Sequence, residues 1–534
     1  MPRVSPLPPI AAPPAAVRAA AMERLGATDG PDGTLVVPPR PDTQPDVTVT
    51  LALTGTGATT TIAARGSGSV EIPFFAWFFR PLSWFARRRE ARYVQARLNA
   101  LVTGAPEPDP PSTLVGLPPV AFGVEQGILL ATASAATAIV SFAAALFGQL
   151  NGSIADTFGA SDADMGIALA VTRIGALFAL VLTMLADRRG RRRMILIGVV
   201  GSGIVCAISA AAPSLQTFTA AQVFQRGFVI TTATVAGIAV IEEAPDNARA
   251  YSATMLALAG GFGFSFAVVT LPLADIAPWS WRLSFVIGAC SLLLVPALGR
   301  HLRETTRYLA LAERTDVVRG RARDVWRFHK RRFLLLGFIA FFLNVFNAPS
   351  SQFMNKYLED VHEFSNTSIA LFRTVTTALP GLIGLLIGGR LAERYGRRPV
   401  AAIALALATA TQMVFFLSSG PTLWFASALS VLMAGAGGIA LGTLDAELFP
   451  TEVRSTSNAL LSVVAVIGSA IGFGIAGGLS DQLGGLGRST AITGIGALLV
   501  AIFVIPMLPE SKAHTLEDIS PTHSTDASTW RPDP

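Results

Sequence analysis

Between about residues 120 and 510 the chain alternates long apolar runs with short polar turns, a pattern too coarse for a water-soluble core. A bilayer interior of about 30 Å takes about 20 apolar residues per helix. Twelve runs of that kind begin near Leu129, Asp164, Met194, Leu215, Tyr251, Trp281, Phe333, Ile369, Val400, Leu423, Ser455 and Ser489. Lipid offers backbone N–H and C=O groups no partner, so each run is predicted to be a helix. The pattern therefore predicts an all-α membrane protein with twelve transmembrane helices. Alternate loops are basic, at Arg188 to Arg193, Arg300 to Arg332 and Arg390 to Arg398, whereas the opposite loops carry Asp156, Asp162 and Asp164, or Glu359, Asp360 and Glu363. Positive loops stay on the cytoplasmic side. Both termini and the central loop, 302–332, are expected there, in a multi-pass protein of the cell inner (plasma) membrane.

The polar punctuation repeats. Asp187 and Glu393, in Asp-Arg-Arg-Gly-Arg-Arg and Glu-Arg-Tyr-Gly-Arg-Arg, stand 206 positions apart. Glu242-x-x-Pro245-x-x-x-Arg249 and Glu447-x-x-Pro450-x-x-x-Arg454 are 205 apart, and Glu304 and Glu510 are again 206 apart. A constant offset at three places implies a duplicated unit of about 200 residues. The expected architecture is two pseudo-symmetric six-helix halves, 122–301 and 333–510.

Before the first run the composition changes. Residues 1–72 are rich in Pro, Thr, Gly and Ala and read as a largely disordered cytoplasmic extension, with one hairpin suggested where Val47 to Leu53 alternates and Thr59 to Ala64 can pair with it. Residues 73–101 place aromatic residues, Phe74 to Phe85, ahead of Arg87, Arg88, Arg89, Arg92 and Arg97. That order suits an amphipathic helix on a leaflet of anionic lipid, or a solvated helix packed on the rest of the protein. Residues 102–121 read as a Pro-rich linker and 511–534 as a cytoplasmic tail.

Composition removes several function classes. Hydrophobic residues make up 51% of the chain and charged residues 14%, so the net charge of +6 reflects basic loops rather than a nucleic-acid face. The two cysteines, Cys206 and Cys290, lie inside apolar runs and give no disulfide framework. None of the three lysines, Lys330, Lys356 and Lys512, follows a glycine-rich loop, so no nucleotide-driven pump is indicated. All five histidines fall in loops or the tail, which leaves no buried cluster for metal binding or nucleophilic catalysis. No enzyme, cofactor or metal is expected.

The paired loops, each with its Glu-x-x-Pro-x-x-x-Arg companion, resemble those of the major facilitator superfamily over about residues 120–520. The second copy carries Gly389, Glu393, Arg394, Gly396, Arg397 and Arg398; the first carries Asp187, Arg188, Gly190, Arg191 and Arg192, with Thr183 where the family has glycine. The segments after the sixth and twelfth runs resemble the sugar porter and metabolite:proton symporter branches. The drug antiporters' Gly-Pro motif in the fifth helix is absent, Gly260-Gly261-Phe262-Gly263 standing there. What the resemblance implies is alternating access, with Asp187, Arg188, Gly190, Arg191, Glu242 and Arg249, and by symmetry Gly389, Glu393, Arg394, Arg397, Glu447 and Arg454, forming a conformational latch. Charge supports that role, since a carboxylate sits well at a helix N-terminus and an arginine beside a carboxylate.

Polar residues deep in a membrane helix are functional candidates by default. Substrate candidates are Ser141, Phe142 and Gln149 in the first run, Arg173 in the second, Gln222, Gln225 and Arg226 in the fourth, and Asn344, Asn347 and Gln352 around Pro349 in the seventh, where the proline is expected to break the helix. Arg173 and Arg226 read either as pocket cations or as structural partners of Asp156. Arg373, near the end of its run, reads as snorkelling to the surface. Asp156 is the proton-coupling candidate, because a carboxylate that loses a nearby cation gains proton affinity. Two buried cations and few buried acids favour a small polar or anionic organic solute moved with protons by a monomeric secondary transporter. Alternatives on the same residues are an exporter of drugs or metabolites, a sugar facilitator, and a non-transporting membrane sensor.

Overall fold

The computed structural model describes residues 9–39, 47–55, 58–67, 76–110, 122–245, 248–304, 330–448 and 451–510. They divide into two compact units, one of Met1–Ala136, Ala236–Ala259 and Pro296–Arg307, the other of Thr137–Val235, Gly260–Val295 and Tyr308–Pro534. The expected tail, most of the central loop and the end of the linker lie outside the described residues.

The described part of residues 1–72 holds a small sheet. In the first unit β1 (Thr28–Asp29), β2 (Leu35–Val37), β3 (Thr48–Thr54) and β4 (Thr61–Ser67) form an antiparallel sheet in that order. The suggested hairpin is present, with Leu51 opposite Ala64 and Thr54 opposite Thr61. One sheet face buries Leu35, Val37, Val49, Leu51, Ile62 and Ala64 against Val17 and Ala21 of the Pro14–Leu25 helix and Ala91, Val94 and Leu98 of the Ala76–Thr103 helix. Each such aliphatic side chain contributes about 1.5–3 kcal/mol when fully buried. The side chain of Gln95 locks helix to sheet by donating to the Ile62 carbonyl at 2.7 Å. Interleaved prolines and glycines hide this core from a composition count, because strand alternation needs only three to seven residues at a time. The second half of the Ala76–Thr103 helix packs on this sheet, while Trp84 and Phe85 stay exposed.

Among the described residues twelve helices are long and apolar enough to cross a membrane. In chain order they are span 1 (Val124–Gln149), span 2 (Asp162–Thr183), span 3 (Arg191–Ala210), span 4 (Leu215–Glu243), span 5 (Tyr251–Asp275), span 6 (Trp281–His301), span 7 (Lys330–Gln352), span 8 (Asn366–Ala392), span 9 (Arg397–Phe415), span 10 (Pro421–Gly442), span 11 (Leu460–Gly478) and span 12 (Leu486–Met507). Their exteriors expose Leu177, Phe224, Leu293 and Phe503, a surface that suits lipid and not water. Spans 2 to 3 and 8 to 9 join at what is called here the basic end; the other end is the acidic end.

The duplication is visible in the backbone. Gly190 (φ 95, ψ 148) and Gly396 (φ 102, ψ 151) adopt the same conformation, one that a side chain scarcely permits, and each turns the chain from one span into the next. The carboxylate of Glu510 accepts the backbone N–H groups of Arg397 at 2.9 Å and Arg398 at 3.1 Å, capping span 9 at its positive end.

Spans 2, 7 and 8 are interrupted where the local chemistry requires it. Span 2 tightens at Arg173, where Arg173 donates to Ala170 and Ile174 to Val171, one residue short of helical spacing. Span 7 runs through Pro349 and breaks at Phe353, four residues beyond the expected position. Span 8 widens into a π-turn over Thr374–Ala378. Pro380, which has no N–H to offer the Thr376 carbonyl, accounts for the widening.

Within the second unit the halves meet at the acidic end by backbone contact. A Cβ on Gly166 of span 2 would stand 2.8 Å from the Phe473 carbonyl and 3.1 Å from Gly477 Cα of span 11. Small residues let membrane helices approach closely. Gly477→Val is therefore expected to force the spans apart, an overpacking cost of about 1–3 kcal/mol, enough to cut the closed population by about tenfold. Ser480, buried against Asp162 at 2.6 Å, reports on this contact. A Ser480→Cys thiol should react with maleimide about tenfold faster in the Gly477→Val background, and an unchanged rate would show that the glycine contact does not hold the halves.

Candidate functional site

Arg173 and Arg226 come together across spans 2 and 4. The Cβ of Arg226 packs on Gly175, where an added Cβ would lie 2.7 Å away, and the two guanidinium charges are near enough to oppose each other. The Arg173 guanidinium stands 4.8 Å from the centre of the Phe473 ring of span 11. Each arginine keeps a buried Nε with no hydrogen-bond partner. Among the described residues neither pairs with an acid, so the structural pairing with Asp156, one of the two readings, is not formed. A buried cation without a counter-charge is costly, so two of them side by side require an anion from elsewhere or a functional reason.

The other sequence candidates separate into three groups. Gln222 donates to Ser209 at 2.8 Å and Gln225 to Ser202 at 2.6 Å, so both are turned toward span 3. Asn344, half-buried, and Asn347 and Ser351, exposed, follow one another at helical spacing on span 7, Asn344 also donating to the Ala340 carbonyl at 2.9 Å. An uncovered amide and hydroxyl row on a membrane helix belongs on a water-filled path rather than against lipid. Ser141 is half-buried, while Phe142 is buried against Phe266 with ring centres 5.3 Å apart. Gln149 and Gln352, the third group, belong to the contact between halves.

That contact centres on a residue expected elsewhere. Arg373 does not snorkel; it is 5% exposed, donating to Asn355 Oδ1 at 2.9 Å and to the Ser351 carbonyl at 3.4 Å. Asn355 in turn donates to Gln149 Oε1 at 2.8 Å and to the Gln149 carbonyl at 2.7 Å. The break at Phe353 turns Asn355 toward span 1, and burial of the acidic end draws Arg373 inward. Asn151 donates to the Gln352 carbonyl at 3.3 Å, and Gln352 packs over Gly148, which has no room for a Cβ. Asp275 of span 5 caps span 8, accepting the N–H groups of Asn366 at 2.9 Å and Thr367 at 2.8 Å. The bonds of Asn355 to Gln149, of Asn151 to Gln352 and of Asp275 to span 8 join one half to the other.

Just beyond, the Met354–His362 helix brings Lys356, Glu359 and Asp360 against the first half. Lys356, 8% exposed, pairs with Asp162 at 3.2 Å and with Asp360. Burial opposes its charge, yet the hydrogen bond and charge of Asp360, with the charge of Asp162, outweigh that and raise its pKa above the ordinary lysine value. Sequence reasoning missed this group because the residues read as loop; the one signal was that Lys356 is among only three lysines in the chain.

At the basic end the side chains of Asp187, Arg188, Glu393, Glu447 and Arg454 lie outside the described residues. Of the remaining latch candidates, Gly190 and Arg191 are buried, Glu242 and Arg397 are half-buried, and Gly389 is half-buried in span 8. Arg249 is exposed, and Arg394 is exposed with its guanidinium 5.4 Å from the Tyr395 ring centre.

Two sets of six spans with the same orientation, interrupted near arginines and joined by breakable polar contacts at one end, define a secondary membrane transporter. The family model of the Major Facilitator Superfamily matches residues 133–375 and 363–531, and the chain belongs to that family. It is a multi-pass membrane transporter and not an enzyme. A probable 4-methylmuconolactone transporter of Cupriavidus pinatubonensis is 26% identical over 401 residues, 72% of this chain and 90% of that protein. A citrate-proton symporter of Klebsiella pneumoniae is 31% identical over 210 residues, 37% of this chain and 45% of that protein. The alpha-ketoglutarate permease of Escherichia coli is 25% identical over 353 residues, 61% and 79% of the two chains. Among solved structures, a bacterial homologue of the human lysosomal transporter Spinster, inward-facing and unoccupied, shares the fold at a TM-score of 0.60 and 17% identity, with 72% of this chain and 97% of that one covered.

Proposed function

We propose that the chain imports a small organic acid anion together with protons, as a monomer in the cell inner (plasma) membrane with both termini cytoplasmic. The observation that carries this reading is the pair of unpartnered guanidiniums, Arg173 and Arg226. A carboxylate placed between them supplies the missing counter-charge, and a guanidinium binds it bidentately. Asn344, Asn347 and Ser351 supply neutral hydrogen bonds on the opposing half. Relatives named for citrate and alpha-ketoglutarate, both carboxylate anions, support the substrate class, and those named as citrate-proton symporters support the coupling.

With the basic loops inside, the acidic end faces outward, and the bonds of Gln149, Asn355, Asp275 and Lys356 hold the outer side shut. The latch residues Asp187 and Glu393 act at the inner side in the opposite state. Trp84, Phe85 and the neighbouring arginines rest the extension on anionic lipid of the inner leaflet. Purified protein in vesicles, given an inward proton gradient and radiolabelled di- and tricarboxylates, should accumulate at least one of them above equilibrium. Collapse of the gradient should end accumulation. Accumulation that survives collapse rejects proton coupling, and uptake of sugars but no acid rejects the anion reading.

A further inference from the structure

We propose that Glu359 is the proton-binding group that governs closure of the outer side: with its proton the halves close there, and without it they part. The inference deepens the transport reading by assigning the residue and the step at which a proton is taken up.

The geometry starts from the break in span 7, which directs the Met354–His362 helix onto the Asn151–Phe158 helix of the other half. The Glu359 carboxylate sits directly over the Gly152 backbone, where no Cβ fits beneath it. One turn on, Asp156 faces it, and Asp275 approaches from the end of span 5. On its own helix stand Lys356, Asp360 and His362. Lys356 is shared between Asp162 and Asp360. His362 packs its ring on Tyr357 and Phe364. From span 8 Arg373 is held by Asn355 and Ser351. Among the described residues no cation pairs with Glu359 or Asp156.

Closure thus brings Asp156 and Asp275 of the other half toward Glu359, beside which Asp360 already stands, with one ammonium, Lys356, for the cluster, and that ammonium is already engaged. Like charges gathered around a half-buried carboxylate are relieved by binding a proton. Burial first, then the charges of Asp156 and Asp360, push the Glu359 carboxyl up to about 7 from an ordinary 4.5, Lys356 offsetting part of the rise. On opening, the carboxyl returns to water and its ordinary range. The closed state therefore binds the proton more tightly; its advantage is complete below 4.5 and is lost as pH rises through 7. Acid outside favours closing the outer side, which is the direction that carries a loaded solute inward.

The test uses the full chain in lipid nanodiscs with no solute, carrying Cys290→Ser and spin labels at Ile276→Cys and Val361→Cys, exposed positions on the two halves. Pulsed dipolar spectroscopy should find the short distance dominant at pH 5 and its population ratio lowered by about tenfold or more at pH 8.5, a shift that one to two pKa units produces. Glu359→Gln, nearly the same shape without the charge, should stay closed at both pH values. Asp156→Asn should move the midpoint to lower pH. Wild-type distances that ignore pH, a Glu359→Gln protein that keeps the wild-type response, or one open at both pH values would overturn the proposal. Because no solute is present, a pH response in a protein that takes up no organic acid would refute the substrate reading and leave this one standing.

Discussion

Arg226→Ala is expected to leave the transporter folded and to weaken organic acid binding by about 10- to 100-fold, since a charge-assisted hydrogen bond contributes about 1.5–3 kcal/mol. An arginine held by a structural acid would behave otherwise, because its removal strands a buried carboxylate and destabilises the protein by about 3–5 kcal/mol. No such acid meets Arg226 among the described residues, and its Nε is without a partner. The thermal unfolding temperature of the solute-free protein should therefore hold or rise when this uncompensated charge is removed. Arg226→Lys should also bind poorly, as a point charge cannot reproduce the planar fork. Binding by calorimetry and unfolding on the same preparations decide the matter. Unchanged affinity in a well-folded Arg226→Ala protein would remove the main support for an anionic solute.

The second large effect is expected at the inner side, where Asp187→Asn should lower solute uptake by about tenfold or more while expression and membrane insertion hold. A carboxylate at a helix N-terminus contributes about 0.3–2 kcal/mol, up to about 30-fold in an equilibrium between two conformations. The surrounding Arg188, Arg189, Arg191, Arg192 and Arg193 keep the topology signal intact. Glu393→Gln in the second copy should act in the same direction. Uptake by Asp187→Asn at the wild-type rate, measured at equal protein in the membrane, would refute the latch.

Much of the architecture could be read from local pattern. Gly190 and Gly396 stand out because they recur at the duplication distance, and the structure shows why glycine is needed, since both occupy a backbone conformation that a Cβ hinders. The site was less legible. Gln222 and Gln225 occupy the same depth as Arg226, yet Ser209 and Ser202 on span 3 claim their amides. Pro349 announced a break in span 7, but its position at Phe353 and the turn of Asn355 onto Gln149 depend on contacts with span 1. Asp156 drew attention as a possible partner of Arg173 or Arg226; its charge acts instead on Glu359.

The sequence alone determined the twelve spans and the two-fold repeat. Each of these follows from a rule that acts over one turn or one span, because lipid forces every backbone group to be satisfied within its own helix. The tertiary structure alone decided which polar groups are spent on holding the halves together and which are left without an acid partner. Arg373, Asn355 and Gln149 satisfy one another, whereas Arg173 and Arg226 do not find an acid, and nothing in the residue types separates these arginines. The difference lies in which side chains are brought within about 3 Å across two hundred residues of chain, a distance at which burial makes each pairing decisive.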